Sequence, residues 1–165
     1  MEFISHCFTT FYSFQESEVM DAVDYLEQQL PKHCDATPST VDDVIVTLKA
    51  IGNAGRMRSK GTELVKCSQG ANYLNVSVVA IETIRRFPYC PDTWKSLKRE
   101  VFGDFGKDPE LRLQAYLALM KYPSEQTVRF VTEVLDEEIN TQVGAFVSTH
   151  LKQMNDSVEP THGKM

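Results

Sequence analysis

Four stretches of this chain repeat apolar residues at helical spacing, at intervals of about 30 to 35 residues, and the first three are closed by glycine or proline. In "TVDDVIVTLKAIGNAG" the residues Val41, Val44, Ile45, Leu48 and Ile51 lie on one helical face. Ser39 or Thr40 is placed to cap its start, Asp42 and Asp43 suit the positive end of the dipole, and Gly52 with Gly55 can end it. "NVSVVAIETIRRFP" repeats the pattern with Val76, Val79, Ala80, Ile84 and Phe87. In "PELRLQAYLALMKYPS" Asp108 is a good N-cap just ahead, Pro109 fits the first helical position and Pro123 forbids continuation. "INTQVGAFVSTHLKQM" carries Ile139, Val143, Phe146, Val147 and Leu151.

Ala80-Ile81, Ala115-Tyr116 and Ala145-Phe146 align along the repeat, and shorter helical stretches lie around 58–68, 92–102 and 124–136. Each repeat therefore reads as a helical hairpin, and the hairpins as the units of an α-solenoid. The apolar run from Ala115 to Met120 has two greasy faces, as expected of an inner helix squeezed between its stack neighbours and its own partner. No strand pattern competes, because "VIV" and "VVA" sit inside helical periods, so the expected fold is all-α. Residues 1–38 read as an N-terminal extension with one helix over 16–32 (Val19, Val23, Leu26, Leu30) and a linker from Pro31 to Pro38. Residues 39–154 read as the helical domain, and 155–165 as a disordered tail.

With 165 residues, 42% of them apolar, the chain has material for one ordinary core. A net charge of −6, from 23 acidic and 17 basic residues, argues against a nucleic-acid partner held through phosphates. Arg56, Arg58, Lys60 and Lys66 form a local basic stripe that reads as a solvated helix face in preference to an anion site. The longest apolar run falls far short of the roughly 20 residues needed to cross a bilayer, so no membrane span is expected. The start "MEFISHCFTTFYSFQ" has Glu2 in place of a basic region and no unbroken apolar stretch, so no conventional signal peptide is visible. Asn75 in "NVS" and Asn155 in "NDS" are candidate N-glycosylation sites if the chain enters the secretory pathway.

Chemistry-bearing residues are sparse. His6-Cys7 and His33-Cys34 offer zinc-ligand types, but adjacent side chains on a helix point about 100° apart and no C-x-x-C or H-x-x-x-H supplies a second pair. Cys34 beside His33 lacks the orienting third group of a nucleophile. His150 beside Phe146 and Val147 reads as a partly buried histidine, and "GNAG" ends a helix where a phosphate loop would begin one. No catalytic residue, metal site or cofactor is expected. Cys67 and Cys90 lie at two predicted hairpin ends, where they either form a disulfide or pack as reduced thiols; the spacing alone leaves both open.

The segments "LKAIGNAG" (48–55), "VVAIETIRRFPYC" (78–90), "LRLQAYLALMKYPS" (111–124) and "QVGAFVSTHL" (142–151), in this order, resemble the helical domain of the large lipid transfer proteins. That family includes apolipophorin, vitellogenin, apolipoprotein B and the microsomal triglyceride transfer protein large subunit, and the flavour of the segments is most similar to apolipophorin. The resemblance spans about residues 40 to 154. It implies a two-layered, right-handed, HEAT-like superhelix that wraps lipid-bearing β-sheets. It also implies a secreted setting and favours a Cys67–Cys90 bridge, with Cys7 and Cys34 outside that pairing. The β-barrel and lipid-lining sheets of the family are not seen in these residues, so the chain looks like a fragment or truncated relative. Its expected role is a non-enzymatic lipid-transport module that meets lipid only together with missing β-sheet domains and packs on other domains or subunits of a lipoprotein. The alternative is a free-standing HEAT-like protein-interaction module.

Overall fold

In the computed structural model of the chain, residues 16–56 and 61–158 are described, and every regular element among them is helical. The order is α1 (Glu16–Gln29), a short 3-10 turn (Lys32–Cys34), α2 (Val41–Ala54), α3 (Gly61–Gly70), α4 (Leu74–Arg86) and α5 (Pro91–Ser96). α5 continues without a break as a π-helical segment (Leu97–Phe102), and α6 (Pro109–Leu119), α7 (Glu125–Asp136) and α8 (Thr141–Val158) follow. The all-α expectation holds, with no strand among the described residues. Two compact units result, Met1–Tyr122 and Pro123–Met165.

Local chemistry accounts for most helix ends. The Asp108 side chain accepts from Glu110 N at 2.8 Å ahead of Pro109, and Ser124 accepts from Thr127 N at 3.1 Å. Gly55, at φ 65, closes α2 in the left-handed conformation that glycine adopts without steric cost. Thr40 occupies the N-cap of α2, but its hydroxyl accepts from Thr37 N at 2.9 Å and makes no cap bond into the helix. α8 runs on to Val158, so residues 155–158, assigned to the tail from sequence, are helical.

The core of the first unit is built around α4, which packs against α2, α3 and α6. Eight of its residues are buried: Val76, Ser77, Val78, Val79, Ala80, Ile81, Thr83 and Ile84. Two hydroxyls in that set are satisfied by neighbouring helices, Thr83 Oγ1 donating to Leu48 O at 3.0 Å and Ser77 Oγ to Cys67 O at 3.4 Å. Gly52 permits the close approach of α2, since a Cβ there would stand 3.1 Å from Arg86 Cδ and 3.4 Å from Thr83 Cα.

Several hydrogen bonds join positions 33 to 36 apart. Asn72 bonds Ala36 across 36 positions, Thr83 bonds Leu48 across 35, and Arg86 bonds Asn53 across 33. Lys121 and Tyr122 bond the Phe87 carbonyl across 34 and 35. Residues at these separations are thus direct neighbours within the first unit. Ala80, Ile81, Ala115 and Tyr116 are all fully buried, as the alignment predicts. The third aligned pair departs: Ala145 is exposed and Phe146 is 40% exposed, while Val143 and Val147 are the buried positions of α8. Val143 and Val147 are four apart and share a face, so Ala145 midway between them points to the opposite side.

α6 is also less uniformly buried than its composition suggests. It buries Leu111, Arg112, Ala115, Tyr116, Ala118 and Leu119, whereas Leu113 and Leu117 are only half-buried. Arg112, 1% exposed, donates from Nε to Phe102 O at 3.0 Å, and its guanidinium lies 4.9 Å from the Phe105 ring centre and 5.8 Å from that of Phe102. The carbonyl it takes ends the π-helical segment, where the ordinary i to i−4 ladder is interrupted. The hydroxyl of Tyr116 is pushed up to a pKa of about 12 because burial disfavours the phenolate.

Candidate functional site

The cysteines are the first place where structure and sequence expectation part. Cys34 in the 3-10 turn is bonded to Cys67 on α3, with Cα atoms 5.0 Å apart. The expected Cys67–Cys90 bridge is therefore corrected, as is the expectation that Cys34 stays outside the pairing. Cys90, the residue just before α5, is also disulfide-bonded, but not to Cys67. The reason lies in the segment read as a free linker. Ala36 N donates to Asn72 Oδ1 at 3.0 Å and Asn72 Nδ2 donates to Ala36 O at 2.6 Å, a two-point clamp that holds the linker beside the end of α3. Left-handed backbone at His33 (φ 57) and Cys34 (φ 56) then turns the buried Cys34 onto α3. A bridge spanning 33 positions contributes about 4 kcal/mol in the chain-entropy account of disulfides.

With its sulfur in a disulfide, Cys34 is neither a zinc ligand nor a nucleophile beside His33. Among the described residues no group of histidine, cysteine or acidic side chains is arranged to hold a metal ion; His6 and Cys7 lie outside them. Of the basic stripe, Lys66 is exposed and bonded to Glu63 at 2.9 Å, Arg56 is half-buried beyond the end of α2, and Arg58 and Lys60 lie outside the described residues. His150 is half-buried on α8 and stacks on Phe146, ring centres 6.2 Å apart. Asn75, in the first turn of α4, and Asn155, near the end of α8, are both exposed.

What the structure does bring together is a joint between two of the segments quoted above. The last carbonyls of a helix have no intrahelical donor and carry partial negative charge. Lys121, just after α6, places Nζ 2.7 Å from Arg85 O and 3.2 Å from Phe87 O at the end of α4, and Tyr122 donates its hydroxyl to Phe87 O at 3.4 Å. Tyr122 also forms a triangle with Tyr89 and Trp94, with ring centres 5.4, 5.8 and 6.1 Å apart. Trp94 is buried, while Tyr89 is 50% and Tyr122 36% exposed. The joint holds the segment after α6 against the end of α4. Its sequence signal is Phe87-Pro88 recurring one period later as Tyr122-Pro123 behind a lysine, which helix periodicity passes over because these residues follow the helices.

In the second unit α7 packs on α8, with Thr127, Val131, Val134, Val143 and Val147 buried. Ile139 in the turn between these helices is 88% exposed, and Val128 and Phe146 are partly exposed. No helix among the described residues is long and apolar enough to cross a membrane.

The vitellogenin TPR domain family matches residues 5–152. Among curated proteins, the chain is 34% identical over 119 residues to the apolipophorins of Locusta migratoria, covering 71% of the chain and 4% of that protein. It is 28% identical over 148 residues to human apolipoprotein B-100, covering 86% of the chain and 3% of the relative. It is 30% identical over 129 residues to the vitellogenin of Acipenser transmontanus, covering 72% and 8%. The chain thus spans only a small part of the length of these relatives. No solved structure matches it.

Proposed function

The chain belongs to the large lipid transfer protein family, of which it carries the vitellogenin TPR domain, and from that premise we propose that it is a non-enzymatic scaffold of a lipid-transport lipoprotein. In this reading the helical hairpins form a two-layered, right-handed α-solenoid that packs around a lipid cavity built by other domains or subunits, in an extracellular setting.

The observation that carries the reading is the hydrogen-bond register at one repeat period, from Asn72–Ala36 to Tyr122–Phe87. Within the first unit, polar side chains hold positions about one period away, which suits a wall. The apolar side chains of α4 are likewise committed to helix packing, so the lipid surface comes from elsewhere. A disulfide whose sulfurs are buried accords with an oxidising compartment.

Density-gradient flotation of extracellular fluid, with immunodetection of the native product, tests this directly. The product floats with lipid, whereas the isolated 165-residue chain stays lipid-free when offered phospholipid vesicles. Saturable uptake of a fixed number of lipids by the monomeric chain would replace the scaffold with a self-contained carrier. The exposed Ile139, Val128 and Phe146 favour a second reading, a free-standing HEAT-like interaction module; detection of the native product only among lipid-free proteins would select it.

A further inference from the structure

The Asn75-Val76-Ser77 triplet is split by the fold in a way that decides when it is chemically usable. N-glycosylation requires the asparagine amide and the hydroxyl two residues later to be presented together to the transferring enzyme. In extended backbone, residues two apart lie on the same side. On a helix they do not face each other.

Both residues lie within α4, and their environments are opposite. Asn75 is exposed, its Oδ1 accepting from Val76 N at 3.0 Å. Ser77 is 5% exposed, and its hydroxyl donates to the carbonyl of Cys67 at 3.4 Å, under the helix that carries the Cys34–Cys67 disulfide. Releasing Ser77 requires unwinding the first turn of α4 and lifting it from α3, against which it packs.

We propose that Asn75 is an N-glycan acceptor usable only before α3 and α4 dock, so that closure of the first unit ends its modification. The donor is a lipid-pyrophosphate-linked oligosaccharide. Asn75 Nδ2 attacks the anomeric carbon, a C–N bond forms, the bond from that carbon to the pyrophosphate oxygen breaks, the amide gives up one proton and the lipid pyrophosphate leaves. Once formed, the glycan projects from the exposed side of the first turn of α4, away from the buried face of Ser77, and folding proceeds with it in place. The proposal rests on the extracellular reading only for its occurrence in the cell; the acceptor chemistry is a property of this chain.

An assay outside the cell separates the two. The Asn155→Gln chain, in which Asn75 is the remaining acceptor triplet, is offered in its oxidised folded form and in a reduced, alkylated form to solubilised microsomal oligosaccharyltransferase with its lipid-linked donor. Site occupancy is read by peptide mass spectrometry. The alkylated chain takes up glycan at Asn75 at least tenfold more than the folded chain, and Ser77→Ala abolishes transfer to it. Equal occupancy of the two forms, or none on the alkylated chain, overturns the proposal. Neither result bears on the extracellular reading, which is decided by where the native product is found.

Discussion

α4 and α6 align in the sequence about 35 residues apart, yet they are buried by different chemistry. α4 buries eight residues, aliphatic apart from Ser77 and Thr83, and touches three other helices. α6 buries six, including Arg112 and Tyr116, while Leu113 and Leu117 remain half-buried. Equivalence of position fixes which residues meet, but not whether an aliphatic or a polar side chain fills the space. In α6 the space lies beside a π-helical segment whose terminal carbonyl needs a donor, and Arg112 supplies it while covering Phe102 and Phe105 with its guanidinium face.

That contrast is broken or sharpened by four measurements. Ile81→Asp, in the fully buried centre of α4, prevents folding or costs more than about 4 kcal/mol, whereas Leu117→Asp on α6 costs about 1 to 2 kcal/mol because its carboxylate reaches solvent. Equal urea midpoints would show that the two helices are buried alike. Arg112→Met keeps the apolar packing but removes the charge-assisted bond from the guanidinium to the Phe102 carbonyl, an expected loss of about 3 kcal/mol. Thr83→Val costs less, about 1 kcal/mol, since Leu48 O is an acceptor inside α2 as well. A larger loss for Thr83→Val would reverse the ranking of polar contributions in the two helices.

The third measurement is a pH titration of stability. Tyr116 keeps its proton to a pKa of about 12 in the folded chain against 10.0 unfolded, so the folded state binds that proton more tightly. Its contribution is fully present below pH 10 and disappears as pH rises from 10 to 12, a loss of about 2 kcal/mol that Tyr116→Phe abolishes. Identical alkaline unfolding profiles of the two chains would place the phenol in a more polar site. The smallest effect belongs to the joint between the helices. Lys121→Met removes the ammonium from the Arg85 and Phe87 carbonyls and lowers stability by about 1 kcal/mol, with protection of the amides at the end of α4 reduced in hydrogen exchange. Unchanged protection there would deny the lysine its capping role.

Much of the fold was legible because the signals are local. Asp108 with Pro109 marks the start of α6, and Gly55 marks the end of α2. The period of about 35 residues was visible in Ala80 and Ala115, and both positions are buried. It was misleading at Ala145, because similarity of short motifs does not preserve helical phase: a displacement of two residues turns a side chain to the other side of the helix. The family resemblance rested on segments that pack on one another, such as "RRFPYC" and "LMKYPS", and the match over 5–152 agrees with it.

The sequence by itself determined that the described residues are mainly helical, where α2 ends and where α6 begins, and how far apart the aligned segments lie, since capping, proline and apolar period act over a single turn. Only the tertiary structure decided that Cys67 joins Cys34, that Arg112 is buried and Leu117 partly exposed, and that Lys121 closes the end of α4. Each of these depends on which surfaces meet across some 10 to 36 positions of chain, where the free energy comes from a partner's carbonyl, sulfur or ring placed by the fold.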